Sequence, residues 1–422
     1  MTPSRLLAIG CIYASTALAW FTLGASVVGR SGESDARLAA EVAQLWGGRH
    51  RQLPPEVAVE RERLVEREVQ EKDAAGKVVT RVVKETMLER GPVALESTRV
   101  DVELHLDQRR KGLLWYDTYE VSFRGAYRLS NPDAVPRTLV VGYSFPSAEA
   151  LYDAFEFRVN GQETPRVDDL SKGIAARVAL LPRAEATILV SYRSRGLGDW
   201  VYAFGPPGIA QVRDFRLAMT TDFRAIDFPP GTISPSVKAP AGPGWALEWR
   251  FESLVTGQGI GMDLPDRQNP GPLVARMTFF APVSLLFFMT VLVMLGLLHG
   301  RSLHPVHYFF LAAAFFSFHL LLAYLVDHME TGAAFAIAAA TSVLLVVSYL
   351  RIVGGVRFAF GQAGLAQVVF LVLFSYAFFF EGATGLTVTV GAVVTLFVLM
   401  QLTARVDWDE AFLQRTSEGR RR

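Results

Sequence analysis

The residue that most invites chemistry is His319, because it stands deep inside a long apolar stretch. An ionisable group at such depth is costly and turns toward the interior of a helix bundle or a water-filled path. At helical spacing Tyr308, Phe315 and Glu330 share its face, and Gln362, Gln367 and Gln401 on later apolar stretches are its polar neighbours in prospect. This set, with His319, Tyr308 and Gln367 foremost, is the candidate binding site. It reads either as a proton or ligand relay or as a neutral histidine bonded to an adjacent helix. The second is preferred, because a relay generally uses several ionisable groups and these stretches offer one. Three further histidines, His299, His304 and His307, gather at a helix boundary. They fall short of a structural metal set, and Pro305 points to an ordinary helix start capped by His304.

The rest of the search for chemistry meets absences. No phosphate loop, Gly-x-Ser-x-Gly elbow, His-Glu-x-x-His pair or cysteine pair occurs. Gly257, Gly259 and Gly261 alternate along a strand-like segment with no helix after it, so they mark a bulge or close backbone packing and not a dinucleotide loop. The expectation is a protein without catalytic residues, metal or cofactor. A net charge of +1 argues against nucleic acid, whose phosphates call for a concentrated basic surface.

The elements that must position these residues are mostly membrane spans. A helix needs about 20 apolar residues to cross a bilayer, and six stretches supply them: 6–28, 277–298, 306–326, 333–350, 358–380 and 386–404. Arginine sets their orientation, since short cytoplasmic loops are enriched in Lys and Arg. Arg5, Arg301, Arg351, Arg357, Arg405, Arg415 and the terminal Arg420, Arg421 and Arg422 fall on one side. The short loops 327–330 and 381–384 carry only acids. Both termini are therefore expected in the cytoplasm, with 405–422 as a tail anchored by Trp408, and residues 29–275 on the outer side. The first span reads as an uncleaved signal anchor. The lone Cys11 has too short an apolar lead to be a lipidation site.

The outer segment opens with an amphipathic helix, 34–46, whose apolar stripe is Leu38, Val42, Leu45 and Trp46, with Ser34 as cap and Gly47-Gly48 as stop. From Val57 the period changes to two. Val57, Val59, Val65 and Val69 alternate with charge, Asp73-Ala74-Ala75-Gly76 turns the chain, and Val78 to Val83 lead back. A charged helix is the rival reading of this ribbon. Further strands run over 100–106, 116–129, 138–145, 155–159 (turning at Asn160-Gly161), 175–181, 186–192, 212–220 and 245–251. The fold expected is a six-span α+β membrane protein, 1 + 5, with a large sandwich-like all-β domain between spans one and two. Gly332, Ala336 and Ala340 read as a small-residue packing stripe.

Several runs resemble the CreD inner-membrane protein family. They are Leu303-His304-Pro305-Val306-His307-Tyr308, Leu320-Leu321-Leu322-Ala323, Asp327-His328, Ser348-Tyr349-Leu350-Arg351 and Arg405-Val406-Asp407-Trp408. Residues 41–48, 102–106 and 109–113 are similar to the family's outer segment. The charged stretch 60–89 and the Pro/Gly-rich 265–272 depart from its pattern. The resemblance implies a bacterial inner-membrane protein linked to envelope stress and colicin tolerance, with no established biochemical activity. The expectation is a non-enzymatic envelope protein, its partners the bilayer and an unidentified periplasmic or membrane component. A solute or proton-coupled transporter using the helix bundle is the alternative.

Overall fold

The structure, a computed structural model, describes residues 3–72, 78–163, 169–298, 303–380, 382 and 384–404. Two compact units divide it. One is drawn from Met1–Arg37, Gly112–Leu114 and Gln268–Arg422, the other from Leu38–Lys111 and Trp115–Arg267.

The first element is one helix of 44 residues, α1, Pro3–Trp46. The separate helix expected at 34–46 is instead its continuation. Gly29 and Gly32 are the weakest helix formers near Ser34, and a glycine costs about 1 kcal/mol against alanine, too little to break a ladder already built on both sides. The stop is where the sequence places it. Gly47 adopts φ +126°, and its N–H donates to Ala43 O at 2.9 Å. Of the apolar stripe, Val42 is buried while Leu45 is exposed.

The second unit is a β-sandwich. An eight-stranded sheet runs in the order Gln162–Glu163, Tyr152–Val159, Glu185–Leu197, Thr118–Ser130, Ser97–Leu106, Ala210–Thr221, Gly244–Thr256 and Val237–Ala241. All its neighbours are antiparallel except Ser97–Leu106 with Ala210–Thr221, which pair in parallel (Phe215 opposite Thr98 through Thr221 opposite Leu104). A four-stranded sheet, Ile174–Leu180, Arg137–Tyr143, Glu56–Lys72 and Val78–Pro92, faces it. Alternation decides which side is buried. Val57, Val59, Leu139 and Val141 from the small sheet share one core with Val100, Val102, Val121, Phe123, Leu217 and Trp249 from the large one. Asn160 and Gly161 both take positive φ, 51° and 79°, the tight hairpin turn that the Asn-Gly pair encodes.

The charged stretch is a ribbon and not a helix. Glu56–Lys72 pairs with Val78–Pro92 from Ala58 opposite Pro92 to Lys72 opposite Val78. Only Glu56–Glu60 also pairs with Arg137–Tyr143. Cross-strand ion pairs form as the composition suggests, Lys84 to Glu66 at 3.2 Å and Arg90 to Glu60 at 3.0 Å. The turn read at 73–76 lies outside the described residues, as do His299, Arg301, Glu381, the tail 405–422 and Trp408.

The first unit holds the remaining helices: α2, Pro270–Leu298; α3, Pro305–Leu325; α4, Thr331–Gly354; α5, Phe358–Phe379; and α6, Thr384–Thr403. Among the described residues α1 to α5 are long and apolar enough to cross a membrane, and α6 contributes the shorter apolar stretch Gly385–Gln401. The chain is thus an α+β membrane protein with its β unit between the first apolar helix and four or five more. Large apolar side chains stay exposed on the outside of the helices, Leu344 at 68% and Ile352 at 81%, as lipid contact requires. The helices meet through Phe288, Phe315, Phe318, Leu322 and Val346, all fully buried. On α4 the buried small residues include Ala334, Ala338, Ala339 and Ser342, while Gly332, Ala336 and Ala340 face outward. The expected small-residue stripe is therefore displaced by about half a turn. Close packing selects the face that reaches α3, and spacing alone does not distinguish two such stripes.

Candidate functional site

His319, Tyr308 and Gln367 are all buried in the helical unit, none more than 1% exposed. They do not converge. Tyr308 and His319 lie eleven positions apart on α3, about 16 Å along the axis at roughly 1.5 Å per residue. The His319 ring points at α1. Its Nδ1 lies 3.3 Å from Phe315 O, one turn back, and the ring meets Trp20 edge-on with centroids 5.4 Å apart. With Nδ1 as the donor to that carbonyl, Nε2 is an acceptor, and it has no hydrogen-bond partner. The Trp20 indole N–H, also buried, has none either.

Gln367 belongs to a different junction. Its Nε2 donates to Ser342 Oγ at 2.9 Å, and Ser342 Oγ donates to Ala314 O at 2.6 Å. Three helices are thereby joined by a chain of two hydrogen bonds, leaving Gln367 Oε1 unpaired. The backbone widens on either side of Gln367 into π-helical turns, Phe358–Gly364 and Val368–Leu373. Such turns displace carbonyls from the regular ladder, and Phe370 O accepts from Ser284 Oγ on α2. Ser342 is the residue that the sequence reading missed. Nothing separates it from other helix serines until α3 is packed against it. Gln401 is exposed on α6.

His304 and His307 behave as structural groups. His304 caps α3, its side chain accepting from Val306 N at 3.4 Å, with Pro305 starting the helix. His307 Nδ1 lies 2.7 Å from Tyr349 Oη. Gly259 and Gly261 sit where a Cβ would meet Tyr202 O at 2.7 Å and Thr232 and Pro229 at 3.0–3.1 Å, which is the close backbone packing expected of them.

The β unit contains a buried polar centre with no sequence signal. His50 is 1% exposed, its Nδ1 3.0 Å from Tyr119 Oη and its Nε2 2.9 Å from Ser194 Oγ. Burial lowers its pKa to about 4, so the ring is neutral. Gln52 Oε1 accepts from Tyr192 at 2.7 Å and Tyr143 at 3.3 Å. These contacts exist because His50–Gln52 pairs in parallel with Trp200–Tyr202, far along the chain. The centre is closed and every hydroxyl in it is engaged, so it fastens strands together. Open concavities of this unit lie elsewhere. An apolar groove of about 650 Å³ is bounded by residues 53–58, 90–95, 202–206 and 211–212.

Against this geometry the relatives can be placed. Residues 252–409 match the family model described as inner membrane protein CreD. That is the family read from the sequence. The CreD match spans the helices and not the β strands upstream of residue 252. No curated protein matches the chain. A solved structure described as a candidate nutrient-binding protein from Legionella pneumophila is similar at 9% identity and a TM-score of 0.30, over 60% of this chain and 80% of that one. At that score the likeness carries no argument. The apolar helices make this a multi-pass membrane protein, and the match to the CreD model over residues 252–409 supports a place in the inner membrane.

Proposed function

We propose that the protein maintains the cell envelope without catalysing a reaction, by capturing an envelope component or protein on its β unit. In this reading both termini are cytoplasmic and the β unit is periplasmic. The supporting observation is the arrangement of the chain. A β-sandwich with its own core is tethered at each end by an apolar helix, and an open apolar groove lies on that sandwich. The arginine asymmetry of the short loops supports the orientation. The test removes the β unit while retaining the helices. Loss of envelope tolerance in cells carrying the truncated chain is the expected result, and an unaltered phenotype in well-inserted protein overturns the reading.

A transport role has one observation in its favour. His319 Nε2 and Gln367 Oε1 are buried polar atoms without partners in the helical unit. Those groups also suit ordinary helix junctions, so envelope capture is the stronger reading. His319→Ala and Gln367→Ala with unchanged phenotype remove the relay.

A further inference from the structure

The groove on the β unit has a wall chemistry that narrows what can fill it. Leu53, Val57, Val93, Leu95, Phe204 and Val212 give it an apolar lining, and its volume of about 650 Å³ suits a small-molecule site. Four prolines, Pro54, Pro55, Pro92 and Pro206, also line it, and none has an N–H to donate. The strands beneath offer little edge. Ala58–Glu60, Thr98–Leu104 and Thr138–Gly142 are paired on both sides, whereas Gln211 and Val212 pair only with Val255 and Leu254. The edge strand Val78–Pro92 contributes only Arg90 and Pro92. A peptide laid here would lose hydrogen bonds to water and find few in exchange, whereas a hydrocarbon chain loses none.

The charges are confined to two residues. Glu56 and Arg90 are the ionic side chains of the lining, and both are exposed. Arg90 is held by Glu60, which is itself largely covered, so the guanidinium keeps a fixed place at the groove while remaining half open to solvent. A phosphate is the natural complement to that guanidinium, and an ammonium to Glu56. Beyond Pro206 the chain continues through Pro207 and Gly208 to Ile209, which is 82% exposed and extends the apolar surface.

We infer that the groove binds one acyl chain of an envelope phospholipid, with Arg90 meeting the headgroup phosphate. The inference rests on the proposed outward placement of the β unit and specifies the component that it captures. Lipid is at hand for a unit tethered to membrane helices at both ends, and an open apolar groove kept in water is otherwise a liability. Apolar burial supplies the affinity and the single guanidinium orients the chain.

The test uses the full-length protein in cell membranes, with p-benzoyl-phenylalanine replacing Val93, or Leu95 should the first variant fail to accumulate. The same replacement at exposed Gln162 is the control. After irradiation, mass spectrometry of the groove peptide should find a phospholipid adduct at least ten-fold above the control. Adding Ala58→Trp, which fills the groove, should abolish that adduct while leaving the melting temperature unchanged. Adducts to polypeptide in place of lipid overturn the lipid assignment and leave envelope capture standing. No adduct above the control, or one indifferent to Ala58→Trp, removes the groove as a binding site.

Discussion

Arg30 Nη1 donates to Asp327 Oδ2 at 3.0 Å, joining α1 to the loop that leaves α3 across nearly three hundred residues of intervening chain. The same guanidinium donates to Ala323 O at 3.1 Å and lies 4.6 Å from the Tyr324 ring centre. A single arginine thus addresses a carboxylate, a carbonyl and an aromatic face at one end of the bundle. Along the same interface Trp20 packs on His319, while toward α2 Gly24 leaves room for Phe279, whose ring a Cβ would approach to 2.8 Å.

Removing that clamp should loosen α1. The pair is partly exposed, so its worth is modest, about 1–2 kcal/mol for the ion pair, carbonyl bond and ring contact together. Arg30→Ala should lower the melting temperature of the detergent-solubilised protein by a few degrees. Arg30→Lys should restore only part of it, because one ammonium cannot present the same fork of donors.

The Gln367–Ser342–Ala314 chain predicts a non-additive pair. Ser342→Ala leaves the Gln367 amide without its acceptor, and Gln367→Leu removes the donor. Each alone should destabilise. The double variant should cost less than the sum, with a coupling of about 0.5–1 kcal/mol in a membrane setting. Strict additivity in thermal or denaturant unfolding would show that the bond is not formed.

His50 predicts a pH slope. Its folded pKa, about 4, lies below the ordinary 6.5, so the unfolded chain binds more protons. The stability it contributes is complete above pH 6.5 and is lost as pH falls toward 4. Asp117 and Asp263 act with the opposite sign. Burial foremost, with neighbouring carboxylates, raises both, so their contribution is present at low pH and is lost as pH rises through the raised values. Asp133, held down to about 2 by Arg61 and Arg137, matters only in stronger acid. His50→Gln should therefore flatten the change in β-unit melting between pH 6.5 and 4. A slope equal to the parent's would assign the effect elsewhere.

Gly47 predicts a backbone penalty. Its φ of +126° is outside what side-chain-bearing residues readily adopt, and an added Cβ would come to 2.1 Å from Arg195 O. Gly47→Ala should cost about 2 kcal/mol or more, measured as β-unit unfolding. Gly48→Ala, where a Cβ meets only Glu149 and Ser147 side chains at 3.3 Å and 3.5 Å, should cost much less.

Orientation is checked with reporter fusions after Asp133 and after Arg422. Periplasmic activity at the first and cytoplasmic activity at the second are expected. The reverse pattern at the first would invert the proposed topology.

Most of the architecture is legible in the sequence because the two unit types write different periods. Val57 and Val59, like Leu139 and Val141, recur at every second residue, and all four are buried. The spans announce themselves by length alone. What escapes is whatever depends on pairing between distant segments. His50 sits in a strand of three residues, too short for any period, and is buried only through Trp200–Tyr202. Ser342 and Ala338 are picked out by the helix they meet and not by their spacing. The groove is assembled from several separate segments whose prolines, read singly, suggest only turns. The continuity of α1 was hidden for the opposite reason, because Ser34 offers a cap that the helix does not use.

The parallel ladder between Ser97–Leu106 and Ala210–Thr221 bears on how the molecule is made. Its second strand follows the first by roughly a hundred residues, so the middle of the large sheet cannot close until that much more polypeptide has been synthesised. A chain delivered from its amino end must keep its early strands soluble for that interval, with the charges of Glu60, Arg61, Glu62 and Glu66 discouraging stray pairing. Biogenesis, and not the finished assembly, is then the stage at which this protein is most exposed to aggregation.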